Sequence, residues 1–168
     1  LKALAAEKTV AETAAGMANH KPEELAERPV SPNPNVVTVR GLRLIDAEID
    51  EARRLLANGQ RNADKAAIAR ASRDLRYWML RRSTAQPKTA PNPVDAVAFG
   101  TRVKIARADG RTQTFAIVGE DEADPAKGYI AYTAPLARAV MSRSVGDAVD
   151  FAGGEIEILA LEAIGPEG

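Results

Sequence analysis

Apolar residues along this chain repeat with one period in its middle and another in its last third. Leu42, Ile45, Ile49, Ala52 and Leu56 step by 3, 4, 3 and 4, a heptad seam that predicts a helix with Thr38 as its N-cap. After the polar stretch NGQRN, Ile68, Ala71, Leu75, Trp78 and Ala85 continue the same kind of seam, interrupted only by Arg82. Asn58 and Gly59 supply the stop between them, and Asn62 or Asp64 the new cap. Two seams joined by a short polar loop fold back on each other, because each narrow apolar stripe can bury the other. Each arm of about 20 residues would project about 30 Å.

QPKTAPNP, with Pro87, Pro91 and Pro93, ends the second helix and places a boundary near residues 87–96. Beyond it the period falls to two. VAFGTRVKIARADGRTQTFAIVG reads as two strands turned at Asp109-Gly110, and GYIAYT as a third. PLARAVMS opens with Pro135 at a favoured first helical position and predicts a short helix. AVDF and EIEILALEA, flanking the Gly153-Gly154 turn, complete the set. The fold class expected is therefore α+β. An antiparallel helical hairpin of coiled-coil type occupies 38–88, and a small, mostly antiparallel β domain with one short helix occupies 97–168. Residues 1–37 form a weakly structured leader ending in a Pro-rich linker, where Pro29, Pro32 and Pro34 impose extended geometry on Arg28 to Asn35.

Charge changes the picture. The net charge is zero, yet 38–88 holds 12 Lys+Arg against 6 Asp+Glu, while 97–168 holds 7 against 11, so the two parts would suit different partners. The absence of cysteine excludes disulfides, thiolate metal sites and thiol nucleophiles, and suits a cytoplasmic address. No run of about 18 apolar residues occurs, and charge runs through LKALAAEKTVAETAAG, so neither a membrane-spanning helix nor a signal peptide is expected.

Candidate chemistry is sparse. VGEDEADP puts Glu120, Asp121, Glu122 and Asp124 into five positions, but its acids lack the alternation and the glycine of a calcium loop, and a run of adjacent acids does not make an acid-base pair. A solvated acidic turn is the plainer reading. His20, the one histidine, lies in the leader with no partner acid or nucleophile nearby. Gly153-Gly154 lacks phosphate-loop spacing. Tyr77 and Trp78 beside Arg73, Arg76, Arg81 and Arg82 could stack on single-stranded nucleic acid, although Trp78 also falls in seam register, which favours a packing role.

Taken together, "FAIVGEDEADPAKGYIAYTAPLARAVMSRSVGDAV" and "VAFGTRVKI" resemble the C-terminal domain of the bacterial GreA/GreB transcription elongation factors, and "VTVRGLRLIDAEI" resembles the family's opening helix. The resemblance implies an FKBP-like C-terminal domain that docks on bacterial RNA polymerase at the rim of its secondary channel, with the hairpin inserted toward the active site. Asp121 and Glu122, together with Ala134, Pro135 and Leu136, would form the docking edge, the acids facing basic polymerase surface. Ala134 stands where the family usually has Ser.

The hairpin tip, including Gln60, Arg61, Asn62 and Asp64, departs further. The family's cleavage activity rests on paired tip acids that help hold a Mg²⁺ in the polymerase, whereas Asp64 is the tip's one carboxylate, flanked by Arg61 and Lys65. With its short arms, the chain resembles the branch similar to the regulator of nucleoside diphosphate kinase. The implied protein is a monomeric binding factor and not an enzyme. It would have no cofactor of its own beyond Mg²⁺ shared in the polymerase, would meet nucleic acid only indirectly within the elongation complex, and would have no membrane partner. The alternatives are a working cleavage factor using Asp64 and, with less support, a prolyl isomerase, for which Phe99, Phe115, Tyr129, Tyr132 and Phe151 form no recognisable pocket motif.

Overall fold

A computed structural model describes residues 25–167. His20 and most of the expected leader lie outside the described residues. Within them, the chain enters through a two-residue strand β1 (Val36–Val37) and runs through helices α1 (Val39–Arg61) and α2 (Lys65–Thr84) to strand β2 (Gln86–Pro87). There follow β3 (Thr101–Arg107), β4 (Thr112–Val118), β5 (Tyr129–Ala131), α3 (Pro135–Val140), β6 (Ala148–Phe151) and β7 (Gly154–Ala163). The architecture is α+β, a helical hairpin beside a curled mixed sheet.

The helices begin where their caps predict. The Thr38 hydroxyl accepts the Gly41 N–H at 2.9 Å and Asp64 Oδ1 accepts the Ala67 N–H at 3.0 Å, each satisfying a first-turn donor that has no partner within the helix. Ile45, Ile49 and Ala52 of α1 and Ala71 of α2 are buried. Leu42, Leu75, Trp78 and Ala85 pack around Val37, Ile45 and Ile49 at the hairpin's base. The seam's interruption at Arg82 is resolved by an ion pair between the arms, Arg82 Nε donating to Asp46 at 2.7 Å.

In the five-stranded sheet the order is β5-β4-β3-β7-β6, and β3 pairs antiparallel with both β4 and β7. Val103, Ile105, Phe115, Ile117, Ile156 and Ile158 project from one face against Ala137 and Val140 of α3, forming the larger core. One pairing departs from the expected hairpins: β5 lies parallel to β4. Parallel neighbours cannot be joined by a tight turn. The acidic run is therefore a crossover, residues 119–128, folded into two short 3-10 turns at Glu120–Glu122 and Pro125–Lys127.

The Pro-rich segment is also more than a spacer. β1 and β2 pair in parallel at the root of the hairpin, with Gln86 N donating to Asn35 O at 2.8 Å and Lys88 N to Val37 O at 2.9 Å. The strands entering and leaving the hairpin are thus tied to each other. Among the described residues, no helix is long and apolar enough to cross a membrane.

Candidate functional site at the junction of hairpin and sheet

The crossover carries its acids to the base of the hairpin. Asp121 accepts the Tyr77 hydroxyl at 2.7 Å and Arg81 Nε at 2.5 Å, both from α2. Arg81 also donates to Asn35 Oδ1 at 2.8 Å, and the Asn35 amide donates to Arg81 O at 2.7 Å, so the guanidinium is held on two sides. Glu122, 5% exposed, accepts the Thr38 hydroxyl at 2.5 Å and Arg40 at 3.0 Å, both from the start of α1. One acid therefore grips each arm. Buried charges require such partners, since an unpaired one would be costly to desolvate.

Two glycines make room for the grip. A Cβ on Gly41 would lie 2.6 Å from Glu122 Oε2, and one on Gly119 would lie 2.4 Å from Val36 O. A methyl group on Gly119 would press against backbone, and one on Gly41 would displace the Glu122 carboxylate from its place against the helix start.

Residues 25–35 add a strap. Glu27 pairs with Arg76, Arg28 lies 3.9 Å over the Tyr77 ring, Ser31 donates to Glu120 at 3.0 Å, and the Tyr132 hydroxyl donates to Pro34 O at 2.6 Å. Burial, and after it the hydrogen bond to Asp121, pushes the Tyr77 hydroxyl up to about 12. Tyr132 is shifted upward by burial and by the nearby Glu120, with Arg81 and Arg138 opposing.

The solvated acidic turn is thereby corrected: the crossover topology, invisible in residue order, turns Asp121 and Glu122 inward. They form internal ion pairs and are not a free acidic edge. Of the other residues assigned to that edge, Ala134 and Leu136 pack against the sheet's core and Pro135 is exposed. Ala134 occupies the N-cap of α3 with no side-chain bond to the helix.

At the far end of the hairpin, Gln60, Arg61, Asn62 and Asp64 are all exposed and close together along the chain. Asn62 N donates to Asn58 O at 3.1 Å and Asp64 N to Gly59 O at 2.9 Å, while Asp64's carboxylate is spent on the cap. Among the described residues, no group of three or more His, Asp or Glu could hold a metal ion. The aromatic platform around Trp78 is not free either. Arg73, Arg76, Arg81 and Arg82 each pair with a carboxylate, and Trp78 packs into the hairpin's base.

The chain is similar in sequence to known proteins. Residues 91–163 match the family described as "Transcription elongation factor, GreA/GreB, C-term". The chain is 36% identical over 110 residues to transcription elongation factor GreA of Nautilia profundicola, covering 61% of this chain and 67% of that one. It is 33% identical over 114 residues to GreB of Xanthomonas axonopodis pv. citri, covering 67% and 66%. To GreB of Neisseria meningitidis it is 45% identical over 74 residues, covering 42% and 45%. The chain thus spans between about half and two thirds of the length of these relatives. It belongs to the GreA/GreB family of transcription elongation factors. Gfh1 of Thermus thermophilus, a GreA factor homolog of solved structure, is similar at 16% identity over 76% of this chain and 98% of that chain. The TM-score of that likeness is 0.36.

Proposed function

We propose that this chain is a binding regulator of transcription elongation and not itself an enzyme. Its sheet domain, the FKBP-like unit of this reading, docks on bacterial RNA polymerase. Its coiled-coil hairpin enters the secondary channel as a monomeric plug or prop. The observation that carries the non-cleaving form is Asp64. The only carboxylate at the tip is bonded to the Ala67 N–H and sits between Arg61 and Lys65, an arrangement unsuited to sharing a divalent cation. Family membership supports the polymerase as partner. Any Mg²⁺ involved belongs to the polymerase, and nucleic acid is met only inside the elongation complex.

Binding is tested with the full chain, fluorescently labelled, titrated with core RNA polymerase and then challenged with an unlabelled GreA-type factor. Saturable binding that the competitor displaces is the expected result. Absence of binding, or binding that such a competitor leaves untouched, would overturn the secondary-channel reading.

A further inference from the structure

The Pro-rich segment before β1 touches both parts of the molecule. Pro29, Pro32 and Pro34 keep their predecessors out of helical geometry, so the segment runs extended across the junction. Toward the hairpin, Glu27 accepts Arg76 Nε at 3.0 Å, and Arg28 lies 3.7 Å from Asp74, 3.9 Å from the centre of the Tyr77 ring and 5.1 Å from that of Trp78. Toward the sheet, Ser31 donates to Glu120 of the crossover at 3.0 Å, and Pro34 O accepts the Tyr132 hydroxyl at 2.6 Å. Between Glu27 and Pro34 the chain therefore crosses from α2 to the sheet.

This makes the junction a fastening of two tiers. The inner tier, Asp121 with Arg81 and Glu122 with Thr38 and Arg40, is largely buried, and salt screens it little. The outer tier is open to water: the side chains of Arg76 and Glu27 are 56% and 61% exposed, those of Arg28 and Asp74 33% and 34%. Exposed pairs of this kind are individually weak and are screened as ionic strength rises. The prolines restrict the segment when it is detached as well, so little chain entropy opposes its return.

We infer that residues 27–34 are a releasable latch. Closed, it ties α2 to the crossover and holds the hairpin in one direction. Open, it leaves the hairpin to turn about the inner ion pairs. Ionic strength controls it, because the distance over which exposed charges attract falls from about 10 Å at 0.1 M salt to about 3 Å at 1 M. The inference stands apart from the polymerase-binding reading and is tested without a partner.

Trp78 is the only tryptophan and the chain has no cysteine, so the full chain carries its own fluorescent reporter beside Arg28 and accepts paired labels at introduced cysteines. Acrylamide quenching of Trp78 is compared at about 0.1 M and about 1 M sodium chloride, in wild type and in Glu27→Ala/Arg28→Ala. The wild-type quenching constant is expected to rise about two-fold with salt, while the variant starts at the higher value and stays there. Spin labels at Gln60→Cys on the tip and Asp150→Cys on β6 read the hairpin's direction. They should give one narrow distance distribution at low salt, broadened at high salt and, in the variant, broadened at both. Quenching that is equal in wild type and variant would overturn the latch, and so would label distances that neither salt nor the variant changes. Circular dichroism should show constant helix content throughout; a loss of helix accompanying these changes would mean unfolding instead of release and would also overturn it. The salt comparison on the wild type needs no substitution in the latch, and it decides the matter even if the double variant does not fold.

Discussion

Arg81 and Asp121 meet at 2.5 Å across the junction between hairpin and sheet, with side chains only 3% and 12% exposed. Their contact joins residues 40 positions apart and fixes the second helix to the crossover, as Glu122 fixes the first through Thr38 and Arg40. Such a root sets the direction of the hairpin, because a tilt of about ten degrees at the base moves a tip about 30 Å away by about 5 Å.

Removing one member of this pair leaves a buried cation without its partner. Asp121→Asn is expected to destabilise the chain by about 3 kcal/mol, with Glu122→Gln of similar sign. Urea unfolding checks it; loss below about 0.5 kcal/mol, the level of a surface substitution, would mean the ion pair is not formed in solution.

Tyr77 supplies a pH signature. Its hydroxyl is pushed up to about 12 in the folded chain, chiefly by burial, against roughly 10 for a free tyrosine. The folded state thus holds the proton longer than the unfolded state. The resulting stability is whole below pH of about 10 and is lost as pH rises through about 12. In an absorbance titration of the three tyrosines, Tyr77 should ionise in a late phase that Tyr77→Phe removes. The same variant should flatten the fall in stability between pH of about 10 and 12.

Much of this fold was legible in the order of residues, because it rests on local rules. Heptad steps from Leu42 to Leu56, the caps Thr38 and Asp64, Asp109-Gly110 between alternating strands and Pro135 at the start of α3 each act within a few residues. The junction was not legible, for a physical reason. Whether Glu120 to Asp124 form a solvated turn or a buried crossover depends on β5 pairing parallel with β4, a choice made by sheet topology and not by the loop. The pairing of Val36–Val37 with Gln86–Pro87 is likewise non-local, and three prolines in six positions hide it behind the signature of a linker. Gly41 and Gly119 were the available signals: a glycine in a first helical turn and another just before an acidic run are consistent with two surfaces approaching closely.

Gly119 offers a direct check of that approach. Gly119→Ala would put a methyl group 2.4 Å from Val36 O, a backbone atom that the β1–β2 pairing holds in place, and should cost about 2 kcal/mol. Gly154→Ala, which meets nothing within 4 Å, should change stability by no more than about 0.5 kcal/mol. Equal effects in thermal melts would argue against the close contact.

Asp64 is expected to behave as a cap. Asn can accept the Ala67 N–H as Asp does, so Asp64→Asn should leave stability nearly unchanged, while Asp64→Ala should lose about 1 kcal/mol. Chemical denaturation of the two variants side by side separates capping from charge.

Binding to polymerase without cleavage, as proposed for this chain, is checked with backtracked elongation complexes carrying end-labelled RNA, incubated with Mg²⁺ and saturating full-length protein. The RNA is expected to keep its length, with wild type and Asp64→Asn alike, while the protein displaces a cleavage-competent GreA-type factor and suppresses the shortening that factor causes. RNA shortened by the wild type and left intact by Asp64→Asn would contradict it.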